Sequence, residues 1–180
     1  NIDITWTVEQ APEATPPDRG SPPAPAVNTT EQSGLLPNLT FENLVLGSAN
    51  QLAFAAASQV ATNPGTQYNP LFIYGGVGLG KTHLMHAIGH RFLETHPNAR
   101  VRCVSAQQYL SEYTTAMRKL NAHDEQALQR FEMRYQDLDL LLIDDIQSFA
   151  NRDGTQTNFF LAFERMVPRG KQIVLTSDTY

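Results

Sequence analysis

Nine consecutive residues, from Gly75 to His83, combine glycines with a lysine and a hydroxyl group in a spacing suited to a triphosphate. They contain the pattern G-x-x-x-x-G-K-[ST], in which small residues let successive backbone N–H groups turn toward phosphate oxygens. In this pattern Lys81 supplies a point charge for the β and γ phosphates, and Thr82 supplies a hydroxyl ligand for Mg²⁺. The alternative is a glycine-rich turn that binds nothing, but an apolar strand before the loop and a helix after it favour phosphate binding. The predicted phosphate-binding residues are Gly75, Gly76, Val77, Gly78, Leu79, Gly80, Lys81, Thr82 and His83.

A second group of polar residues follows the apolar run from Leu140 to Ile143, which has the composition of a strand covered on both faces. Two carboxylates come next, and ligands bind at this edge of parallel sheets. We predict that Asp144 joins Thr82 in holding Mg²⁺, and that Asp145 orients or deprotonates the attacking water. Aspartate reaches one methylene less far than glutamate, which suggests slow hydrolysis. A capped turn is the structural alternative for the pair.

The polar triplet Thr176-Ser177-Asp178 ends a further apolar run, Ile173 to Leu175. Polar residues ordinarily finish strands, so this signal is weak by itself. Beside the two motifs above it favours Asp178 as a sensor of the γ-phosphate. The predicted catalytic residues are therefore Lys81, Asp144, Asp145 and Asp178.

The elements that position these side chains alternate between strand and helix along the chain. Two capping boxes, Ser48 with Gln51 and Ser105 with Gln108, predict helix starts. A polar loop at residues 151–154 precedes helical spacing from Thr155 to Met166. Alternation of this kind predicts βαβ units in a layered α/β domain with a parallel sheet. The predicted strands are Leu71–Tyr74, Val101–Ser105, Leu138–Ile143 and Ile173–Leu175.

Two further sets of side chains have competing interpretations. Histidines at positions 83, 86 and 90 lie on one helix with a spacing that could face a metal, but packing and surface roles are favoured because no cysteine or carboxylate cluster joins them. Arg118 and Arg152 belong to a basic region that either contacts single-stranded DNA or forms a solvated helix face.

Composition limits the class of protein. The chain has 180 residues, 41% of them apolar, and a formal charge of −5, which argues against coating nucleic acid by bulk electrostatics. A single cysteine, Cys103, and the lack of a long apolar run or secretory signal lead us to expect a cytoplasmic protein.

Residues 1–8 alternate between apolar and polar side chains as a strand does, and we expect them to end an upstream domain. Residues 9–34 predict a disordered, proline-rich linker, and residues 35–180 the globular domain.

Several stretches together resemble the DnaA family of bacterial chromosomal replication initiators. They are TFENLVLGSANQLA at 40–53, YNPLFIY before the loop, GGVGLGKTHLMHAIGH at 75–90, LLLIDDIQ at 140–147 and KQIVLTSD at 171–178. The resemblance implies a P-loop NTPase of the AAA+ type, a three-layer sandwich that binds ATP or ADP with Mg²⁺ and hydrolyses ATP slowly. It further implies a homo-oligomer that assembles on the chromosomal origin in the ATP state and opens duplex DNA.

The resemblance also assigns residues and partners. Val45, Leu46 and Gly47 match a segment near the adenine, and residues 105–135 match an insertion that contacts single-stranded DNA. This chain departs from the family at Thr114, where an apolar residue is usual, and at Gly154, a position after the acidic pair that is often basic. The family implies double-stranded origin DNA bound by a C-terminal domain, a replicative helicase bound by an N-terminal domain, and acidic phospholipids. We expect the chain to be a fragment that stops before the last core strand and the helical lid. The alternatives are an AAA+ helicase loader or another P-loop enzyme, such as one that transfers phosphate to a small acceptor.

Overall fold

Four parallel strands form one sheet in the computed structural model, which describes residues 33–179. The predicted strand at residues 1–8 and the predicted linker up to residue 32 lie outside the described residues. The strands lie in the order β1-β4-β3-β2, so the chain crosses over between neighbours through helices. They are β1 (Leu71–Tyr74), β2 (Val101–Ser105), β3 (Leu140–Asp144) and β4 (Gln172–Ser177).

Helices cover both faces of this sheet. They are α1 (Gln51–Thr62), α2 (Lys81–Thr95), α3 (Ala106–Asn121), α4 (Ala127–Gln136) and α5 (Asp153–Met166), with short 3₁₀ turns at Ile146–Phe149 and Val167–Arg169. Helices α1 and α2 share one apolar core with the sheet, while α3, α4 and α5 share the other. The predicted three-layer α/β sandwich with a parallel sheet is therefore confirmed. Within residues 33–179, no helix combines the length and apolar character needed to cross a membrane.

Strand β3 explains why the sequence around residue 140 is almost wholly apolar. Leu140 and Leu142 point into the core beneath α1 and α2, whereas Leu141 and Ile143 point into the core on the opposite face. All four are fully buried, as expected of a strand sandwiched between two helical layers. The next residue, Asp144, leaves both cores at once and emerges at the carboxyl edge of the sheet.

The start of α1 corrects one prediction. The capping box of Ser48 and Gln51 is wrong, because the helix begins only at Gln51 and Asn50 precedes it without a side-chain cap. Asn50 instead bridges the preceding loop, accepting from the Gly47 N–H at 2.9 Å and donating to the Val45 carbonyl at 3.0 Å. At α3 the predicted cap is present, since the Ser105 hydroxyl accepts from the N–H of residue 108 at 3.1 Å.

Three other boundaries differ from the sequence prediction. Strand β3 runs from Leu140 to Asp144 rather than from Leu138 to Ile143, because the Leu138 N–H donates to the Tyr135 carbonyl at the end of the preceding helix. Helix α5 begins at Asp153, inside the loop predicted for residues 151–154, and a carboxylate in its first turn is favourable to the helix dipole. Strand β4 runs from residue 172 to residue 177 because Thr176 and Ser177 continue its pairing with β1. Thr176 is consequently a buried strand residue, and only Asp178 lies beyond the strand end.

Candidate nucleotide-binding site

The glycine loop joins β1 to α2 and places several residues in backbone conformations that favour glycine. Gly78 and Gly80 have φ angles of +83° and +88°, so a side chain at either position would be strained. Gly80 immediately precedes α2, a helix of 15 residues whose N-terminus faces the loop with its unpaired N–H groups. Residues 76–78 are exposed. The loop therefore presents backbone donors and the positive end of a helix dipole at the carboxyl edge of the sheet.

Lys81 is the charged group of this loop, and its side chain is only 9% exposed. Its ammonium donates to the carbonyl of Gly76 at 2.9 Å and forms an ion pair of 2.7 Å with Asp178 Oδ1. The first contact folds the lysine back across its own loop, and the second joins it to the end of β4. The structure thus brings together two of the four predicted catalytic residues.

Thr82 and Asp144 also meet, as the sequence predicts. The Thr82 hydroxyl donates to Asp144 Oδ2 at 2.7 Å, which joins the first turn of α2 to the end of β3. Asp144 Oδ1 accepts from the hydroxyl of Thr176, which is fully buried. A hydroxyl and a carboxylate are oxygen ligands of the kind that Mg²⁺ takes from proteins, usually one or two of them beside substrate phosphates. The donor set present here fits that ion.

Asp145 follows in a left-handed conformation, with φ 58° and ψ 50°. Its N–H donates to the Thr176 hydroxyl at 3.0 Å, and its carboxylate accepts from Gln147 Nε2 at 3.3 Å. The Gln147 side chain in turn accepts from the N–H of Asp178 at 3.3 Å. Sequence analysis did not assign Thr176 or Gln147 individually. A threonine that ends a strand and a glutamine that follows an acidic pair are both common in proteins, so neither pattern indicates a role in a binding site.

The segment predicted near the adenine lies largely in solvent. Val45 is 85% exposed and Leu46 is 51% exposed. A small cavity beside the glycine loop is lined instead by Leu44 and Asn50, together with residues of β1 and α2. Leu44 also lies against Gly80. The structure therefore places Leu44 and Asn50, rather than the predicted segment, beside the glycine loop. The Asn50 side chain is joined to Val45 and Gly47 of that segment by two hydrogen bonds.

The histidines of α2 hold the chain that precedes α1. His83 Nε2 lies 2.7 Å from the Thr40 carbonyl oxygen, and His90 Nε2 lies 2.8 Å from the Leu36 carbonyl oxygen. His86 Nδ1 accepts from the Leu36 N–H at 3.1 Å, and burial lowers the pKa of this histidine. These contacts support the packing interpretation. Among the described residues no group of three or more His, Cys, Asp and Glu side chains is arranged to hold a metal, so the histidines of α2 do not form such a site.

The predicted DNA-contacting arginines, Arg118 and Arg152, are both exposed, at the last turn of α3 and just before α5. Other cations of this region are neutralised by carboxylates. Glu112 pairs with Arg102 at 2.6 Å and with Arg134 at 3.2 Å, and it also accepts from the Tyr135 hydroxyl. Two arginines of α4 are thus paired within this region, Arg134 with Glu112 and Arg130 with Asp124.

The parallel sheet between two helical layers and the glycine loop with its lysine, threonine and facing carboxylates define a P-loop nucleotide-binding domain of the AAA+ type. The family model of the bacterial DnaA ATPase domain matches residues 35–180. The chain belongs to this DnaA family.

Individual relatives agree with that membership. Over 178 residues the chain is 54% identical to the chromosomal replication initiator protein DnaA of Bordetella pertussis, covering 98% of this chain and 36% of the relative. The corresponding protein of Ralstonia nicotianae is 53% identical over 162 residues, covering 89% of this chain and 30% of the relative. The chain thus spans about a third of the length of the curated relatives it matches.

Solved structures give the same result. Domain III of the Thermotoga maritima replication initiation protein DnaA is 43% identical with a TM-score of 0.74, covering 80% of this chain and 57% of that chain. A replication initiator DnaA bound to AMPPCP and single-stranded DNA is 36% identical with a TM-score of 0.73, covering 81% of this chain and 43% of that chain.

Proposed function

We propose that this chain is the ATP-binding module of a replication initiator, which assembles on the chromosomal origin in its ATP state and opens duplex DNA. Slow hydrolysis of ATP returns the protein to its inactive state. The observation that carries the proposal is the meeting of side chains from separate elements at one sheet edge. Thr82 lies 2.7 Å from Asp144 Oδ2, and Lys81 lies 2.7 Å from Asp178 Oδ1.

In this proposal the glycine loop holds the phosphates of ATP through its N–H groups and the N-terminus of α2. Lys81 contacts the β and γ phosphates, and Asp178 senses the γ-phosphate from the end of β4. Thr82 and Asp144 would hold Mg²⁺, which when bound neutralises charge on the β and γ phosphate oxygens. Thr176 keeps Asp144 turned toward Thr82 by occupying its second oxygen.

Asp145 acts on the attacking water. The water oxygen forms a bond to the γ-phosphorus while the bond to the bridging oxygen of ADP breaks, and the water proton leaves for the Asp145 carboxylate or for the phosphate product. The Asp145 backbone is held by Thr176, so its short side chain starts from a fixed position. Its reach is one methylene less than that of glutamate, which supports slow turnover.

The test compares the full-length protein with an Asp145→Asn variant. Wild type should open origin duplex with ATP and not with ADP, measured as reactivity of unpaired bases. The variant should bind ATP normally but hydrolyse it about 100-fold more slowly in a single turnover, because a carboxylate that orients or deprotonates water is removed. Opening that is equal with ATP and ADP would contradict the switch, and an unchanged rate in the variant would remove Asp145 from the mechanism.

We extend the proposal to single-stranded DNA, because a similar DnaA structure is described as bound to it. The α3–α4 pair would contact the strand with Arg118, assisted by Arg152 before α5. Charge reversal at each arginine should weaken binding of single strands by the full-length protein and reduce its salt dependence. The control is Arg169→Glu, an exposed arginine near the opposite end of β4. An equal loss of DNA affinity in Arg169→Glu would show that the total charge of the protein, and not the position of Arg118 and Arg152, controls binding.

The remaining partners rest on family membership. They are a homo-oligomer formed in the ATP state, double-stranded origin DNA, a replicative helicase and acidic phospholipids. The relatives are about three times as long as this chain, so these contacts are assigned to the whole protein. The same holds for the adenine contact of Val45, Leu46 and Gly47, which we propose forms as Asn50 holds that loop against the cavity beside Gly80.

A further inference from the structure

Gln147 uses both ends of its side-chain amide, and each end contacts a different part of the site. It lies in the 3₁₀ turn that follows Asp145. Its Nε2 group donates to Asp145 Oδ1 at 3.3 Å, and its Oε1 atom accepts from the backbone N–H of Asp178 at 3.3 Å. One half-buried side chain therefore connects the carboxylate proposed to act on water with the residue proposed to sense the γ-phosphate.

The turn that carries Gln147 is held by other contacts. The Ser148 N–H donates to the Asp145 carbonyl at 2.9 Å, and the Ala150 N–H donates to the Gln147 carbonyl at 3.0 Å. Phe149 is buried in the core beneath α3 and α5, and its carbonyl accepts from Gln156 Nε2 at 2.6 Å. The fold of the turn thus uses the backbone of Gln147 but not its amide, which leaves the amide available for a role in the site.

We infer that Gln147 is a positioning residue for ATP hydrolysis, which keeps the Asp145 carboxylate in a fixed orientation relative to Asp178. The inference rests on the proposed function, because it assigns a supporting role within the same site. A hydrogen bond to Oδ1 directs the other carboxylate oxygen away from the turn, where it can accept from water. An amide suits this position because it donates at one end and accepts at the other, whereas a carboxylate only accepts.

This role predicts a particular difference between two variants of nearly equal size. Gln147→Met keeps the length of the side chain and loses both hydrogen bonds. Gln147→Glu keeps the acceptor for the Asp178 N–H but places a negative charge against Asp145. Like charges repel, so the Asp145 carboxylate should leave its position beside the turn in the Glu variant.

The experiment measures single-turnover ATP hydrolysis by the full-length protein, together with equilibrium ATP binding. The Met variant should hydrolyse ATP about three- to tenfold more slowly, the effect of losing a modest hydrogen bond in the reacting state. The Glu variant should be slower than the Met variant, because its charge repels the Asp145 carboxylate. ATP affinity should change less than about threefold in both, because within residues 33–179 the side-chain hydrogen bonds of Gln147 join Asp145 and Asp178 and do not reach the glycine loop.

Gln156→Glu and Gln156→Met are the matched controls, because Gln156 supports the same turn through the Phe149 carbonyl and does not contact Asp145. They should hydrolyse ATP at rates within about twofold of wild type. Rates equal to wild type in both Gln147 variants would overturn the inference, as would an equal loss of rate in the Gln156 variants. A wild-type protein that binds no ATP or hydrolyses none would overturn the proposed function together with the inference, so the two failures can be told apart.

Discussion

The two ends of the sheet both carry buried polar side chains, but they bond to different kinds of partner. At the amino end, Gln172 accepts from the Gly65 N–H and donates to the Tyr68 carbonyl, each at 2.8 Å. Asn69 similarly bonds the backbone of Lys171 and Ile173. At the carboxyl end, buried side chains also bond other side chains, as Lys81 does with Asp178, beside backbone contacts such as that of Lys81 with the Gly76 carbonyl.

Among residues of similar burial, the kind of bonding partner therefore indicates whether a side chain stabilises the fold or binds a ligand. A side chain that satisfies backbone groups closes a loop, and removing it leaves those groups without partners. An ionised side chain that pairs with another ionised side chain can exchange that partner for a ligand of the same charge. The amino end should therefore govern stability and the carboxyl end nucleotide binding. Two predictions test that division, and a third concerns the pH dependence of stability.

The largest effect is expected at Lys81. Lys81→Ala should weaken ATP binding at least about 100-fold, because two charge-assisted hydrogen bonds to phosphate are lost. Equilibrium binding of labelled ATP to the full-length protein measures this. Lys171→Ala is the control, since Lys171 pairs with Asp139 near the amino end of the sheet at 2.6 Å. Equal affinities of wild type and Lys81→Ala would remove the central claim.

A smaller effect of another kind is expected at Gln172. Gln172→Leu should lower the free energy of unfolding by about 2 kcal/mol, because the Gly65 N–H and the Tyr68 carbonyl lose their partner in a partly buried position. ATP affinity should stay within about twofold of wild type. Urea denaturation and ATP titration of the same preparation give both values. A variant that keeps its stability but loses ATP binding would reverse the proposed division between the two ends.

The smallest effect concerns pH. Burial lowers the pKa of His86 in the folded state, with Asp144 opposing the shift and His90 and His83 adding to it. A lowered folded pKa means that the unfolded chain binds the proton first. The stabilisation is therefore complete above the ordinary histidine pKa of about 6.5 and is lost as the pH falls below it. His86→Gln should reduce the fall in unfolding free energy between pH 7 and pH 5.

The control for this measurement is His123→Asn, at an exposed residue with φ 73°, a conformation that asparagine tolerates. It should retain the pH dependence of wild type. If His86→Gln shows the wild-type slope, acid sensitivity arises elsewhere, and His86 only fills space between α2 and the chain at Leu36.

Sequence reasoning predicted the features that depend on short-range pattern. The glycine loop, the apolar β3 and the meeting of Asp144 with Thr82 follow from residue types and from the rule that parallel strands end at one edge. Contacts that depend on side-chain packing over long separations did not follow. Thr176 meets Asp144 across 32 positions of sequence, and neither residue signals the other. The Ser48 cap failed because Asn50 bonds the preceding loop more favourably than the local pattern indicates.

The ion pair between Lys81 and Asp178 has a consequence for how the site responds to its ligand. The Lys81 ammonium carries three N–H donors, and the Gly76 carbonyl and Asp178 Oδ1 accept from it. In the proposed site a phosphate bound at Lys81 would compete with the Asp178 carboxylate for this charge, so that nucleotide binding would be an exchange of anions. The Asp178 carboxylate, which is 37% exposed and lies just beyond the end of β4, would then be released beside the glycine loop. Binding of nucleotide at the loop would thereby change the surface charge at this end of β4.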